Sequence, residues 1–329
     1  MKKAGGLMDA QKDLKKTFYK AMVLIRAFEE KVSALAREGG RLPGMQILAT
    51  GQEAVAAGVV AAMKPGDVMV TNHRSHGHLL AKGADPDQLM AEMMGKKTGV
   101  NQGKSGTLHM AVPEINALMT STVVGAGPPL AVGAAFAQHY RGEPDITVVF
   151  FGDGAAAEGS VHEAMNLAGV WKLPVLFVCE NNCWAGAQDL CAHCATKNIA
   201  GRAGSYNMPG ESVDGNDVEA VHALAVRLAD HCRTGQGPAL IEALTYRMRG
   251  HGEYDRQHYV DKEELDKWSR RCPVKCFRDK LLADGLIIES EAKALEREAE
   301  SKVDAAVEFA DESPYPRPGE ALKHVWAET

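Results

Sequence analysis

The residues able to do chemistry in this sequence gather where short apolar runs end. Thr147–Phe151 is a run of β-forming residues broken by Gly152-Asp153-Gly154, and Leu173–Cys179 is a second apolar run followed by Asn181-Asn182. Between them Glu158–Trp171 is built of helix formers, so the stretch reads strand, turn, helix, strand. In an open parallel sheet, ligands collect beyond the carboxyl ends of the strands. That rule brings Asp153 and Asn182 to one crevice although 29 positions separate them. A carboxylate and an amide oxygen, beside backbone freed by glycines, suit a hard cation that also holds a diphosphate.

Two further clusters obey the same rule. Asp67–Val70 reads as a short strand delivering His73-Arg74-Ser-His76-Gly-His78. Pro238–Leu244 reads as another, delivering Arg247-Met-Arg249-Gly-His251. Three histidines and an arginine within six residues point to function more than to a bland loop, and arginine forks match phosphate oxygens. For the second cluster a plain surface-charge reading stays open.

The spacing Gly152-Asp153-Gly154, 26 residues, Asn181-Asn182 resembles the thiamine-diphosphate and magnesium motif of thiamine enzymes. From about Phe28 to Leu265 the chain resembles the alpha subunit of the thiamine-dependent dehydrogenase component of 2-oxo acid and acetoin dehydrogenase complexes. The resemblance implies magnesium held by Asp153, Asn182 and a backbone carbonyl near Trp184. It implies a diphosphate met by Arg74 and by the Gly154 and Ala155 amides, with His73 at a family tyrosine position. The aminopyrimidine ring would touch backbone at Thr122 and Val124. Arg249 stands where relatives carry a diphosphate-contacting histidine. His76 and His251 become candidates for proton transfer or for orienting substrate. Ile47 stands where pyruvate enzymes place a histidine, four residues before the glycine of Gly51-Gln52-Glu53. Glu53 itself reads either as functional or as a helix-first-turn acid favoured by the dipole.

The implied partners are a beta subunit, in an α2β2 heterotetramer with the cofactor between subunits, and a lipoyl-bearing acyltransferase as acceptor. The implied reaction decarboxylates a 2-oxo acid or cleaves acetoin. Two other readings remain: a split-subunit thiamine enzyme for carboligation or non-oxidative cleavage, and a non-catalytic structural subunit.

The elements that must position these groups can be read along the chain. Asp9 is placed to cap a long amphipathic helix through Leu14, Phe18, Met22, Ile25, Phe28, Val32 and Leu35, ended by Gly39-Gly40. A helix runs from Gln52-Glu53 to Ala62, another over Leu89–Met94, and a third over the small residues Gly125–Ala137. Gly95–Met110 is glycine-rich and reads as a flexible loop at the site's edge, without P-loop spacing. Asn182–Pro209 reads as a long polar loop and Ser212–Asp217 as a turn, with Asp217 capping the helix Val218–Leu228. Residues 261–311 read as charged amphipathic helices, and Glu312–Gly319 as a proline-rich packing or assembly arm. The expected architecture is α/β: a mostly parallel open sheet with helices on both faces, in a single domain over 1–329. Within it, 1–40 is an N-terminal helix, 41–260 the cofactor-binding core, and 261–329 the helical and proline-rich end.

Composition sets the outer bounds. Of 329 residues 45% are hydrophobic, and Lys+Arg 37 against Asp+Glu 43 leaves a formal charge of −6. No basic stripe suggests nucleic acid as a partner. No apolar run approaches the ~18–20 residues of a membrane span, and no apolar signal core follows Lys2-Lys3, so a cytoplasmic protein is expected. Seven cysteines do not suggest a disulfide framework. Cys191 and Cys194 with Cys272 and Cys276 admit a zinc reading, but ordinary reduced thiols are the stronger expectation.

Overall fold

The computed structural model describes residues 2–323 and Trp326. Its strands are β1 (Val68–Asn72), β2 (Ala117–Ser121), β3 (Thr147–Gly152), β4 (Val175–Asn181), β5 (Trp184–Ala185), β6 (Gln188–Asp189), β7 (Gly210–Asp214) and β8 (Ala239–Leu244). β5 and β6 form a small antiparallel hairpin; the others build one parallel sheet in the order β2-β1-β3-β4-β8-β7. The helices are α1 (Lys2–Glu38), α2 (Glu53–Ala61), α3 (His76–Ala81), α4 (Pro86–Met93), α5 (Gly127–Arg141), α6 (Gly159–Trp171), the single turn α7 (Leu190–His193), α8 (Val218–Arg233), α9 (Lys262–Ser269), α10 (Pro273–Ala283) and α11 (Glu289–Glu312).

The central strands are mainly apolar because both faces of the sheet are covered. Successive side chains alternate between two helical layers. Val148, Phe150, Leu176, Val178 and Ile241 meet Phe28, Val55, Leu89, Val221 and Val303 on one face. Val149, Phe151, Val175, Phe177 and Leu240 meet Ala131, Ala135, Val161 and Met165 of α5 and α6 on the other.

Several elements differ from the expectation. α1 already runs at Lys2, so Asp9 lies within it and is no cap. α5 begins at Gly127, because Gly125 turns the chain at φ +83°. Asn182–Pro209 is not one loop: it holds the β5–β6 hairpin, α7 and a tight 3-10 stretch over Ala200–Tyr206. The edge strand β7 takes up the first three residues of Ser212–Asp217, read as a turn; it is half-exposed and too polar to stand out. Asp217 does cap α8, its carboxylate accepting from the Glu219 and Ala220 amides at 3.0 and 3.1 Å.

The glycine-rich stretch after α4 is folded tightly around one side chain. The Glu92 carboxylate, fully buried, accepts from the amides of Asn101, Gly103 and Ser105 and from the Ser105 hydroxyl, each at 2.8 Å, and from the Gly106 amide at 3.2 Å. Gly99 permits the approach, since a Cβ there would fall 2.4 Å from the Glu92 carboxylate. The proline-rich arm then clamps the loop's start. The Lys97 amide donates to the Pro314 carbonyl at 2.9 Å, the Thr98 hydroxyl to that of Ser313 at 2.6 Å, and Lys96 Nζ to the Ser313 carbonyl at 3.1 Å, 4.1 Å from the Tyr315 ring centre. Glu92→Ala leaves five donors without their acceptor, so we expect a loss of about 3 kcal/mol or more in urea unfolding and faster tryptic cleavage after Lys104. An unchanged digestion rate would show the loop holds itself.

Candidate active site

β1 hands the chain to β2 on one side and β3 hands it to β4 on the other, so a crevice opens between β1 and β3 at the strands' carboxyl ends. A cleft of about 420 Å³ lies there. It is lined by His73 and Arg74 beyond β1, Val123–Gly125 beyond β2, Asp153–Ala155 beyond β3, Asn182 and Trp184 beyond β4, and His251 from the turn after β8.

Asp153 is 1% exposed, and neither carboxylate oxygen has a hydrogen-bond partner. A buried, unpartnered carboxylate is costly and calls for a cation. His193 Nε2 lies 3.4 Å from Asp153 Oδ2, near enough for charge pairing but too skewed for a hydrogen bond. Contact with Asp153 pushes the His193 pKa up. Asn182 donates from Nδ2 to Gln52 Oε1 at 3.0 Å, which turns the amide so that its oxygen accepts from the Trp184 amide at 3.2 Å. Between them Cys183 is held at φ +71°, a left-handed conformation uncommon outside glycine and costly enough to mark a functional turn. Gly154 lets this loop approach the hairpin, since a Cβ there would lie 2.8 Å from that of Ala185. A carboxylate, an amide oxygen and a backbone carbonyl are the donors of a hard cation, so these residues fit magnesium.

Beside them lies a buried basic cluster. Arg74 donates from Nη1 to the Leu48 carbonyl at 2.6 Å and from Nη2 to the His251 carbonyl at 3.1 Å. Arg247, 1% exposed, donates to the Gly186 carbonyl and to the Tyr259 hydroxyl. Both guanidinium groups also approach His251 Nδ1, at 3.2 and 3.3 Å. Arginine can only donate, so Nδ1 is the acceptor and the ring proton sits on Nε2. Burial and the two arginines hold His251 down at about 4, and burial with Arg74 holds His73 at about 3. Burial lowers Arg74 to about 10 and also lowers Arg247. Two buried guanidinium groups beside the cleft suit a polyanion.

The pH dependence follows. Both histidines are harder to protonate folded than unfolded, so the unfolded chain binds more protons and stability rises with pH across that interval. The ligand-free protein is expected to lose stability as pH falls from about 6.5, the unfolded value, toward 4. Inorganic pyrophosphate should flatten this slope, because its charge favours the protonated rings. Thermal midpoints against pH, with and without pyrophosphate, test it; a slope that pyrophosphate leaves unchanged would place the anion elsewhere.

Other expected site residues are placed differently. Arg249 does not reach the cleft. It pairs with Glu30 and Glu253 in a separate polar pocket shared with Arg26 and Cys272. The inner side already holds Arg74 and Arg247, and a third buried cation would be repelled, whereas two carboxylates wait outside. His76 is fully buried away from the cleft, with Nδ1 3.2 Å from Glu29 and Nε2 2.6 Å from the Thr107 hydroxyl. Val124 lines the cleft mouth, while the Thr122 hydroxyl turns to His109 at 3.1 Å. Glu53 accepts from Arg26 and the Gly51 amide, a clamp on its own turn. Glu180 was not singled out from the sequence. It closes the cleft floor, 2% exposed, with His78 Nε2 at 3.2 Å and Asn72 Nδ2 at 3.3 Å. Its one signal was a charge inside an otherwise apolar strand.

The sequence model of the family described as "Dehydrogenase E1 component" matches residues 20–319. The alpha subunit of acetoin:2,6-dichlorophenolindophenol oxidoreductase from Bacillus subtilis is 42% identical over 312 residues, 94% of this chain and 92% of that one. The pyruvate dehydrogenase E1 component subunit alpha of Rhizobium meliloti is 40% identical over 299 residues, 91% of this chain and 86% of that one. The acetoin oxidoreductase alpha subunit of Cupriavidus necator is 37% identical over 312 residues, 94% and 93% of the two chains.

Proposed function

The chain belongs to the dehydrogenase E1 component family, and from that premise we propose that it is the alpha subunit of a thiamine-diphosphate- and magnesium-dependent dehydrogenase of acetoin or a 2-oxo acid. The observation that carries this reading is Asp153, a buried carboxylate with both oxygens free, beside Asn182 at the end of the next strand. A subunit kept only for structure would gain stability by losing such a charge.

Thiamine diphosphate, when bound, supplies an electron sink for the carbanion. The protein's part is to hold and orient. Asp153, Asn182 and the Trp184 carbonyl take the cation, and Arg74 with the Gly154 and Ala155 amides takes the diphosphate. Arg74 and Arg247 keep His251 neutral with Nε2–H as a donor toward the cleft, which suits it to hold a substrate oxygen. His73 stands beside it, its ring 5.6 Å from that of His251. His76 acts at a distance: through Glu29, which accepts from the Ala49 amide, and through Thr107 it fixes two loops bordering the site.

The cleft mouth is unfinished. Val123 and Val124 are 65% and 50% exposed there, and the outer face of α5 and α6 presents Leu130, Phe136, Tyr140, Val170 and Trp171. Such a patch suits a permanent partner: a beta subunit completing the site in an α2β2 heterotetramer, with a lipoyl-bearing acyltransferase as acceptor. The test is the co-purified pair with thiamine diphosphate and magnesium, given acetoin, pyruvate and branched 2-oxo acids with either a lipoyl acceptor or an artificial oxidant. Oxidation of one of these is expected. Cofactor binding with inactivity toward both acceptors would instead support carboligation or non-oxidative cleavage, and no cofactor binding would leave a structural subunit.

A further inference from the structure

We propose that Glu180 is a positioning residue for Asn182: through Gln52, its carboxylate fixes which end of the Asn182 amide meets the cation. The inference rests on the metal-diphosphate reading above. Glu180 lies in β4, two positions before Asn182, and Gln52 stands just ahead of α2. Glu180, Gln52 and Asn182 are 2%, 1% and 5% exposed. Bulk water therefore does not satisfy an amide turned the wrong way, and each orientation has to be set by a neighbour.

An amide side chain has an accepting end and a donating end, and only its oxygen serves a hard cation. The sense of the Asn182 amide is set in steps. A carboxylate only accepts. Glu180 Oε1 lies 3.4 Å from Gln52 Nε2 and 3.2 Å from His78 Nε2, so both nitrogens donate to it. With its NH₂ turned to Glu180, Gln52 presents Oε1 to Asn182, whose Nδ2 donates to it at 3.0 Å. The Asn182 oxygen is then left for the Trp184 amide and the cation. On the other side Glu180 Oε2 accepts from Asn72 Nδ2 at 3.3 Å. Asn72 is held in that sense because its Oδ1 accepts from the Arg74 amide at 2.7 Å. Three donors thus converge on one carboxylate, which orients two amides in series.

Glu180→Gln keeps the shape and reverses the order. Its oxygen has to take the fixed Asn72 donor, so its NH₂ faces Gln52 and His78. Gln52 then turns its oxygen inward and its NH₂ toward Asn182, and the Asn182 amide reverses, placing NH₂ where the cation belongs. Gln52→Glu fails differently, by setting two carboxylates against each other. Exchanging the two residues restores every pairing. The new carboxylate at the Gln52 position accepts from Asn182 and from the new amide in β4. His78 moves its proton to Nδ1, where the Thr71 hydroxyl, 2.7 Å away, accepts it as a hydrogen bond.

The test is calorimetry of thiamine diphosphate with magnesium on the assembled wild type, Glu180→Gln, Gln52→Glu and the double exchange, with ligand-free melting curves of each. We expect each single variant to lose about 10–100-fold in magnesium-dependent affinity, the scale for groups that orient a metal ligand. The double exchange should return to within about threefold of wild type. A role confined to holding the strand would lower the melting temperatures of the single variants and leave their affinities alone. Wild-type affinity in Glu180→Gln overturns the inference. So does a double exchange that binds no tighter than the single variants or does not assemble, since it conserves charge and every donor and acceptor. Where a single variant does not assemble, the affinity of the double exchange decides by itself. Absence of magnesium-dependent binding to the wild-type assembly removes the cofactor reading, and this inference with it.

Discussion

Replacing Asp153 by asparagine should raise the melting temperature of the metal-free protein and abolish metal-dependent binding of thiamine diphosphate. The two effects share a cause. Without the cation the carboxylate is buried and without a hydrogen-bond donor. An amide of the same shape carries no charge. Removing one unsatisfied buried group is worth about 1–3 kcal/mol, which in a chain of this size is a rise of a few degrees. The cation loses its only anionic protein ligand, and since even groups that merely support a metal ligand are worth about 10–100-fold, the affinity should fall by at least that upper figure. Calorimetry for the cofactor and thermal melts of the same preparation check both halves. A lowered melting temperature, or cofactor binding close to wild type, would mean that Asp153 is satisfied by a protein group and not by a metal.

Arg74→Ala and Arg249→Ala should differ by about one to two orders of magnitude in their effect on cofactor affinity. Arg74 is buried, bridges the Leu48 and His251 carbonyls, and lines the cleft. A hydrogen bond to a charged group is worth about 1.5–3 kcal/mol, so its loss weakens diphosphate binding by about 10–200-fold. Lysine at this position keeps the charge but cannot span both carbonyls and still reach the ligand, so Arg74→Lys should fall between. Arg249 makes ion pairs at the rim of another pocket, and such pairs contribute about 0–1 kcal/mol to stability and nothing to the cofactor. Fluorescence titration of thiamine diphosphate on the three assembled variants decides the matter. Equal losses in Arg74→Ala and Arg249→Ala would show that the 247–253 turn rearranges around the ligand and that the family position outweighs the side chain's present direction.

The parts of the fold legible in the sequence were those buried on both faces. β3, β4 and β8 are mainly apolar, with Glu180 in β4 and Glu242 in β8 as their charges, and their ends located Asp153, Asn182 and the arginine turn. The edge strands β2 and β7 escaped because ALMTS and GESVD carry no clear alternation of apolar and polar residues. Composition marked the His73–His78 cluster as functional but could not say which rings face the cleft. The start of α3 decides that: His73 and Arg74 stay in the preceding loop, while His76 and His78 are turned into the core, His78 stacked on Phe150 with ring centres 3.9 Å apart. Arg247 and Arg249 present the same difficulty, since the bend after β8 sets their directions. Glu92 was the hardest to foresee. It acts through a compact irregular segment whose folding depends on glycines, where pattern carries little information.

The proline-rich clamp on residues 96–98 bears on how the subunit is made. The sheet has all its strands once Leu244 is outside the ribosome, but Ser313 and Pro314, which hold Lys96, Lys97 and Thr98, follow about 70 residues later. At ~5–20 residues per second that is a delay of roughly 4–14 s. During it the Glu92 loop is held from one side only, and so are the Thr107 hydroxyl on His76 and the wall carrying His109. A nascent chain truncated before residue 313 should therefore display a finished sheet and an unfinished site, so that assembly with a partner is timed by the last stretch of synthesis.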